Sequence, residues 1–143
     1  MSESLRSVSL TRTGPESFEA TNARGGTLHL SSGGADSTDF TPVELLLAGV
    51  AGCSGIDVDL LTSRLSQPDS FTISAEADKV RDENGSHLGP LTVTVSVTFP
   101  DGEGGDAART RLPDAVAKSR DRLCTVSRTV LLPTPVNYEI VEG

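Results

Sequence analysis

Residues 41–57 read TPVELLLAGVAGCSGID and form the most apolar stretch of the 143-residue chain. The spacing predicts a helix from Pro42 to about Leu65, stopping before Pro68. Its start is specified several times over. Thr41 suits the N-cap, Pro42 the first helical position, and Glu44 the third, which makes Thr-x-x-Glu a capping box. Leu46, Gly49, Val50, Cys53, Ile56, Asp57 and Leu60 recur at i, i+3, i+4 spacing, and Leu45, Ala48, Ala51 and Val58 line the other side. A helix apolar all round must be enclosed. Gly49, Gly52 and Gly55 cost stability in a helix interior, so they point to a backbone neighbour, in so small a domain the same helix of a second subunit. Cys53 in the middle admits two readings: a small buried hydrophobe, or a nucleophile kept from bulk water. Asp57, one turn on, disfavours a thiolate at Cys53, and Arg64 lies about 16 Å further along the helix, too far to supply a cation.

Strands are expected on both sides of this helix. SVSLTRT, SFEATN and TLHLS (residues 7–13, 17–22 and 27–31) are separated by Gly14-Pro15 and by Arg24-Gly25-Gly26. After the helix, Phe71, Ile73, Ala75 and Ala77 mark a strand. In LTVTVSVTF, residues 91–99, Leu, Val and Phe alternate strictly with Thr and Ser, which requires one buried and one polar face. RDENGSHLGP, residues 81–90, contains an Asn84-Gly85 turn but is long for a tight hairpin. Ala108, Leu112, Ala115, Val116 and Leu123 follow at helical spacing, with Pro113 as a kink or late start. A short helical turn over 125–131 and a final strand, VNYEI (136–140), close the order βββ-α-ββ-α(α)-β. The expected class is α+β with a mainly antiparallel sheet, in one domain spanning 1–143.

Composition narrows the function. Twelve Lys and Arg stand against twenty Asp and Glu, a net charge of −8, with no basic run; nucleic acid is not an expected partner. The first ten residues lack the apolar core of a signal peptide, and residues 45–56 fall short of the roughly 20 apolar residues that span a bilayer. A cytoplasmic location without a membrane partner is expected, and there two cysteines are free, metal-bound or redox-active rather than a structural staple. No CxxC or HxxxH pair joins Cys53, Cys124, His29 and His87, so neither a metal nor another cofactor is expected.

TPVELLLAGVAGCSGIDV together with SRDRLCTVSRTV (residues 41–58 and 119–130) resembles the OsmC/Ohr family, the osmotically inducible and organic hydroperoxide resistance proteins. Length and element order extend the resemblance over essentially the whole chain. It implies an OsmC-like fold, in which a sheet wraps a long central helix, within an intertwined homodimer. It implies a peroxidatic cysteine on that helix and a resolving cysteine after the second long helix, by position Cys53 and Cys124. The implied activity is thiol-dependent reduction of organic hydroperoxides, with an external dithiol as reductant. Two departures place the chain in a divergent OsmC-like branch. In the well-characterised hydroperoxidases a Glu directly follows the motif's proline and holds an essential Arg; here Val43 takes that place and Glu44 comes one later. Their first-hairpin Arg has no counterpart in TGPES, which leaves Arg24, or Arg128, as the candidate cation. The rival reading is a non-catalytic carrier of a small apolar ligand in the dimer pocket.

Overall fold

The computed structural model describes residues 4–143. The first three residues, part of the stretch read for a leader, lie outside the described residues. The chain divides into two compact units, residues 1–46 and 47–143, with the boundary inside the long helix.

The first unit is a meander of three antiparallel strands, β1 (Val8–Gly14), β2 (Ser17–Asn22) and β3 (Thr27–Ser31). The β1–β2 connection is a two-residue turn, Pro15-Glu16, with Glu16 at positive φ. Asn22 shapes the next turn: its side-chain oxygen accepts the backbone N–H groups of Arg24 and Gly26, at 3.0 and 2.9 Å. The unit ends in the start of α1 (Pro42–Ser63), whose capping box forms as its residue types dictate. The Thr41 N–H donates to Glu44 Oε1 at 2.9 Å, and the Glu44 N–H donates to Thr41 Oγ1 at 3.2 Å.

In the second unit, β4 (Ser70–Glu76) pairs antiparallel with β7 (Thr92–Thr98). The register sets Phe71 opposite Val97, Ile73 opposite Val95 and Ala75 opposite Val93. Every apolar residue of both strands therefore shares one half-buried face, and the Thr and Ser residues share the exposed one, as period-2 alternation requires. Against the apolar face lies α1. A Cβ added at Gly55 would meet Ile73 Cγ2 at 3.3 Å, and one added at Gly49 would meet Val126 at 3.7 Å. Gly52 faces open space. Two of the three helix glycines are thus accounted for by packing within this chain. Val50, Ala51, Val58 and Thr62 are buried, whereas Ile56 and Leu60 are exposed. By length and composition the 22-residue helix is long and apolar enough to cross a membrane, since it continues past Glu44, Asp57 and Asp59, the charges that bracket the shorter run 45–56.

Two expectations need correction. Residues 81–90 do hold a tight hairpin, and its turn is not Asn84-Gly85: β5 (Lys79–Asp82) and β6 (Gly85–Leu88) pair in register across the two-residue turn Glu83-Asn84, and Gly85 has φ +128°. Only glycine tolerates that value readily, which is how a tight turn fits here. The final strand does not form. Residues 133–143 have no regular structure, and Val136, Tyr138 and Ile140 stand exposed. The alternation is present, but among the described residues no strand edge pairs with it.

The second long helix, α2, runs Glu103–Lys118 with Pro113 inside it. Its first turn presses on neighbouring backbone: a Cβ at Gly105 would fall 1.7 Å from the Pro100 carbonyl oxygen, and one at Gly104 2.7 Å from that of Leu65. A π-helical turn, Ser119–Leu123, then leads through Cys124 into α3 (Thr125–Leu131).

Candidate active site

The π turn and α1 together build the site. Widening the helix by one residue per turn lets the Cys124 N–H reach back to the Ser119 carbonyl, at 2.9 Å. Both ends of this segment touch α1. Ser119, 1% exposed, donates its hydroxyl to Asp57 Oδ2 at 2.9 Å. At the other end Cys124, fully buried, receives the Ser54 hydroxyl at a sulfur–oxygen distance of 3.8 Å. Cys53 and Asp57 stand one helical turn apart on α1 and so share a face. The result is a cluster in which the Cys53 and Cys124 sulfurs and an Asp57 carboxylate oxygen all lie within 4.8 Å of one another. Both cysteines are free thiols.

The two sulfurs have different surroundings. Cys124 is the N-cap of α3, and its sulfur accepts the Ser127 N–H at 3.3 Å. Burial pushes the Cys124 thiol up, but the donors Ser127, Cys53 and Ser54 outweigh it and the net direction is down. Cys53 goes the other way. Burial raises its thiol, as do the S–H it donates to Cys124 and the negative charges of Cys124 and Asp57; the Val126 N–H opposes them. The surroundings thus favour the thiolate at Cys124 and the thiol at Cys53. Cys53 is nevertheless the more exposed residue of the two, half-buried where Cys124 is buried. The effect of Asp57 against a Cys53 thiolate is the one read from the sequence.

Beside the cysteines opens a cavity of about 330 Å³. Val58, Val93, Val95 and Leu131 make its walls apolar, and its polar lining is Arg120, Ser119 and the two serines that donate to Cys124, Ser54 and Ser127. This size and lining suit a small apolar molecule.

The other two sequence candidates belong to the first unit. Glu44 is engaged in the capping box, and Arg24 is exposed in the β2–β3 turn. Arg128 lies on α3, exposed. Among the described residues of the second unit, no Lys, Arg or His forms an ion pair with Asp57 or a hydrogen bond to either sulfur. Sequence reasoning missed Ser54, Ser119 and Ser127. Serines carry little signal, although Ser54 directly follows Cys53 and Ser127 lies three residues after Cys124, the offset of an N-cap bond.

Residues 33–139 match the family described as OsmC-like protein. An uncharacterised protein of Mycobacterium tuberculosis is 30% identical over 132 residues, 92% of this chain and 93% of that protein. Among solved structures, an OsmC-like protein of unknown function from Vibrio cholerae superposes with a TM-score of 0.72 at 13% identity, covering 90% of this chain and 94% of that one. The organic hydroperoxide resistance protein OhrB of Bacillus subtilis gives 0.55 at 20% identity, with 87% and 90% covered.

Proposed function

The chain belongs to the OsmC-like protein family, and from that premise we propose that it is a thiol-dependent peroxidase that reduces organic hydroperoxides. The observation that carries this reading is the meeting of two free thiols from distant parts of the chain, within 4.8 Å, beside an apolar cavity. Cys53, the less buried cysteine, passes its proton to the Cys124 thiolate and attacks the distal oxygen of ROOH. The O–O bond breaks, the departing alkoxide takes a proton from solvent and leaves as the alcohol, and Cys53 becomes a sulfenic acid. Cys124 then attacks the Cys53 sulfur, expels water and forms the 53–124 disulfide. An external dithiol reduces that bond by exchange and is itself oxidised to its disulfide.

The apolar walls favour alkyl and aryl substituents, by about 0.8 kcal/mol per buried CH₂, over hydrogen peroxide. The exposed Ile56 and Leu60 of α1, the open space at Gly52 and the unpaired apolar tail support a homodimer as the working form. A partner subunit is also the natural source of a cation for Cys53. Arg24 and Glu44 are proposed for that role between subunits, with Glu44 orienting the guanidinium while it caps α1.

Intact mass spectrometry after one equivalent of cumene hydroperoxide tests the assignment of roles. Cys53→Ser is expected to remain unmodified, and Cys124→Ser to consume the oxidant and stop at a sulfenic acid that dimedone traps. The reverse pattern would exchange the two roles. No modification of either variant or of the wild type would leave a ligand carrier, the reading that the cavity alone supports.

A further inference from the structure

The Cys53, Asp57 and Cys124 cluster has the chemistry of a second function. Two sulfurs and one carboxylate oxygen converge within 4.8 Å, and among the described residues of the second unit no Lys, Arg or His pairs with Asp57 or hydrogen-bonds either sulfur. The carboxylate is anchored, since the Ser119 hydroxyl donates to its Oδ2 at 2.9 Å. The buried Cys124 sulfur is likewise fixed, by the Ser127 N–H and the Ser54 hydroxyl. Such supporting bonds orient metal ligands and commonly accompany them. We propose that the reduced cluster binds one thiophilic divalent cation of the zinc type, and that oxidation of the two cysteines abolishes the site.

The donor set selects the class of ion. Two thiolates suit zinc, cadmium and cobalt(II), whereas calcium and magnesium require oxygen ligands that this cluster lacks. Around a tetrahedral zinc, with bonds of about 2.3 Å to sulfur and about 2.0–2.2 Å to oxygen, ligand atoms stand about 3.3–3.8 Å apart. The three atoms need to close in by at most about 1 Å, within reach of cysteine χ1 adjustment. Three protein ligands leave the fourth position to water. Coordination by the Cys124 thiolate, the Asp57 carboxylate and a deprotonated Cys53 releases the Cys53 proton and involves no electron transfer. A bound ion also occupies the sulfurs that a peroxide would attack, so metal and oxidant compete. The ligands lie four and 67 positions apart along the chain, which is why no compact ligand motif marks them.

The inference requires only that both thiols be reduced, and it stands apart from the peroxidase reading. Its test therefore uses diamide rather than a peroxide as oxidant. Fully reduced full-length protein is titrated anaerobically with Co²⁺ and then with Zn²⁺ against a chromophoric chelator. One ion per chain is expected, with a thiolate-to-cobalt charge-transfer band that Zn²⁺ abolishes. Diamide-oxidised protein should bind at least 100-fold more weakly. Asp57→Asn should lose 10- to 100-fold in affinity while keeping the charge-transfer band, because its amide oxygen is a weaker ligand and both thiolates stay. Equal binding by oxidised and reduced protein would overturn the site, as would a cobalt spectrum without thiolate bands. Full affinity in a folded Asp57→Asn variant would remove Asp57 from it. If that variant does not fold, the comparison of reduced with oxidised wild type still decides.

Discussion

Ser119→Ala tests whether the π turn holds the two thiols together. Ser119 is 1% exposed and donates to a carboxylate at 2.9 Å; among the described residues this is the hydrogen bond that ties the start of the π turn to α1. Hydrogen bonds to charged groups contribute about 1.5–3 kcal/mol, and stranding a half-buried carboxylate adds desolvation rather than relief. Removing one hydroxyl leaves a hole too small for a large cavity cost. The expected loss is therefore about 2 kcal/mol, read as a lower urea midpoint at unchanged slope and fixed protein concentration. A cycle with Asp57→Ala should assign about 1.5–3 kcal/mol to the pair itself. Because the same segment ends at Cys124, Ser119→Ala should also slow disulfide closure after Cys53 is oxidised. Sulfenic acid would then accumulate in the variant and not in the wild type. A variant with wild-type stability and closure rate would refute the claim that this contact positions the site.

Further outcomes follow from the same geometry. Light scattering at micromolar concentration should give twice the 14.9 kDa chain mass; a stable monomer would leave Ile56, Leu60 and the C-terminal apolar residues without a role. Cys53 has its thiol raised by burial and by donation to Cys124, so its alkylation by iodoacetamide should keep rising at pH values where a free thiol has levelled off. Cys124→Ser should bring that profile down, since it removes two of the raising influences; an unshifted profile would count against the sulfur–sulfur hydrogen bond. Glu44→Ala should lower stability by about 1 kcal/mol through the lost capping bond, and any larger fall in peroxide turnover than in folded fraction would mark Glu44 as more than a cap.

How far the sequence reached follows from what each signal depends on. β1 to β3, α1, β4, β7 and α3 were legible because local chemistry decides them: turn residues, a capping box, and two kinds of hydrophobic period. The β5–β6 hairpin was hidden because its strands are only four residues each and exposed on Lys79, Val80, Arg81 and Asp82, so no apolar alternation marks them. VNYEI misled for the opposite reason. Its alternation is genuine, but a strand also needs an edge to pair with, and an edge is a property of the assembled fold. At the site, the two cysteines were visible as residue types in motifs. Their approach depends on a π turn of one extra residue and on a serine–aspartate contact across 62 positions, neither of which leaves a local pattern.

The most direct test of the account counts thiols. Reduced wild-type protein is mixed anaerobically with one equivalent of cumene hydroperoxide, quenched with N-ethylmaleimide and mapped by peptide mass spectrometry. The account predicts that both thiols disappear together, that one cumyl alcohol is formed per chain, and that a Cys53–Cys124 linkage joins the two peptides within a single chain. Two alkylated cysteines beside unconsumed hydroperoxide would contradict it.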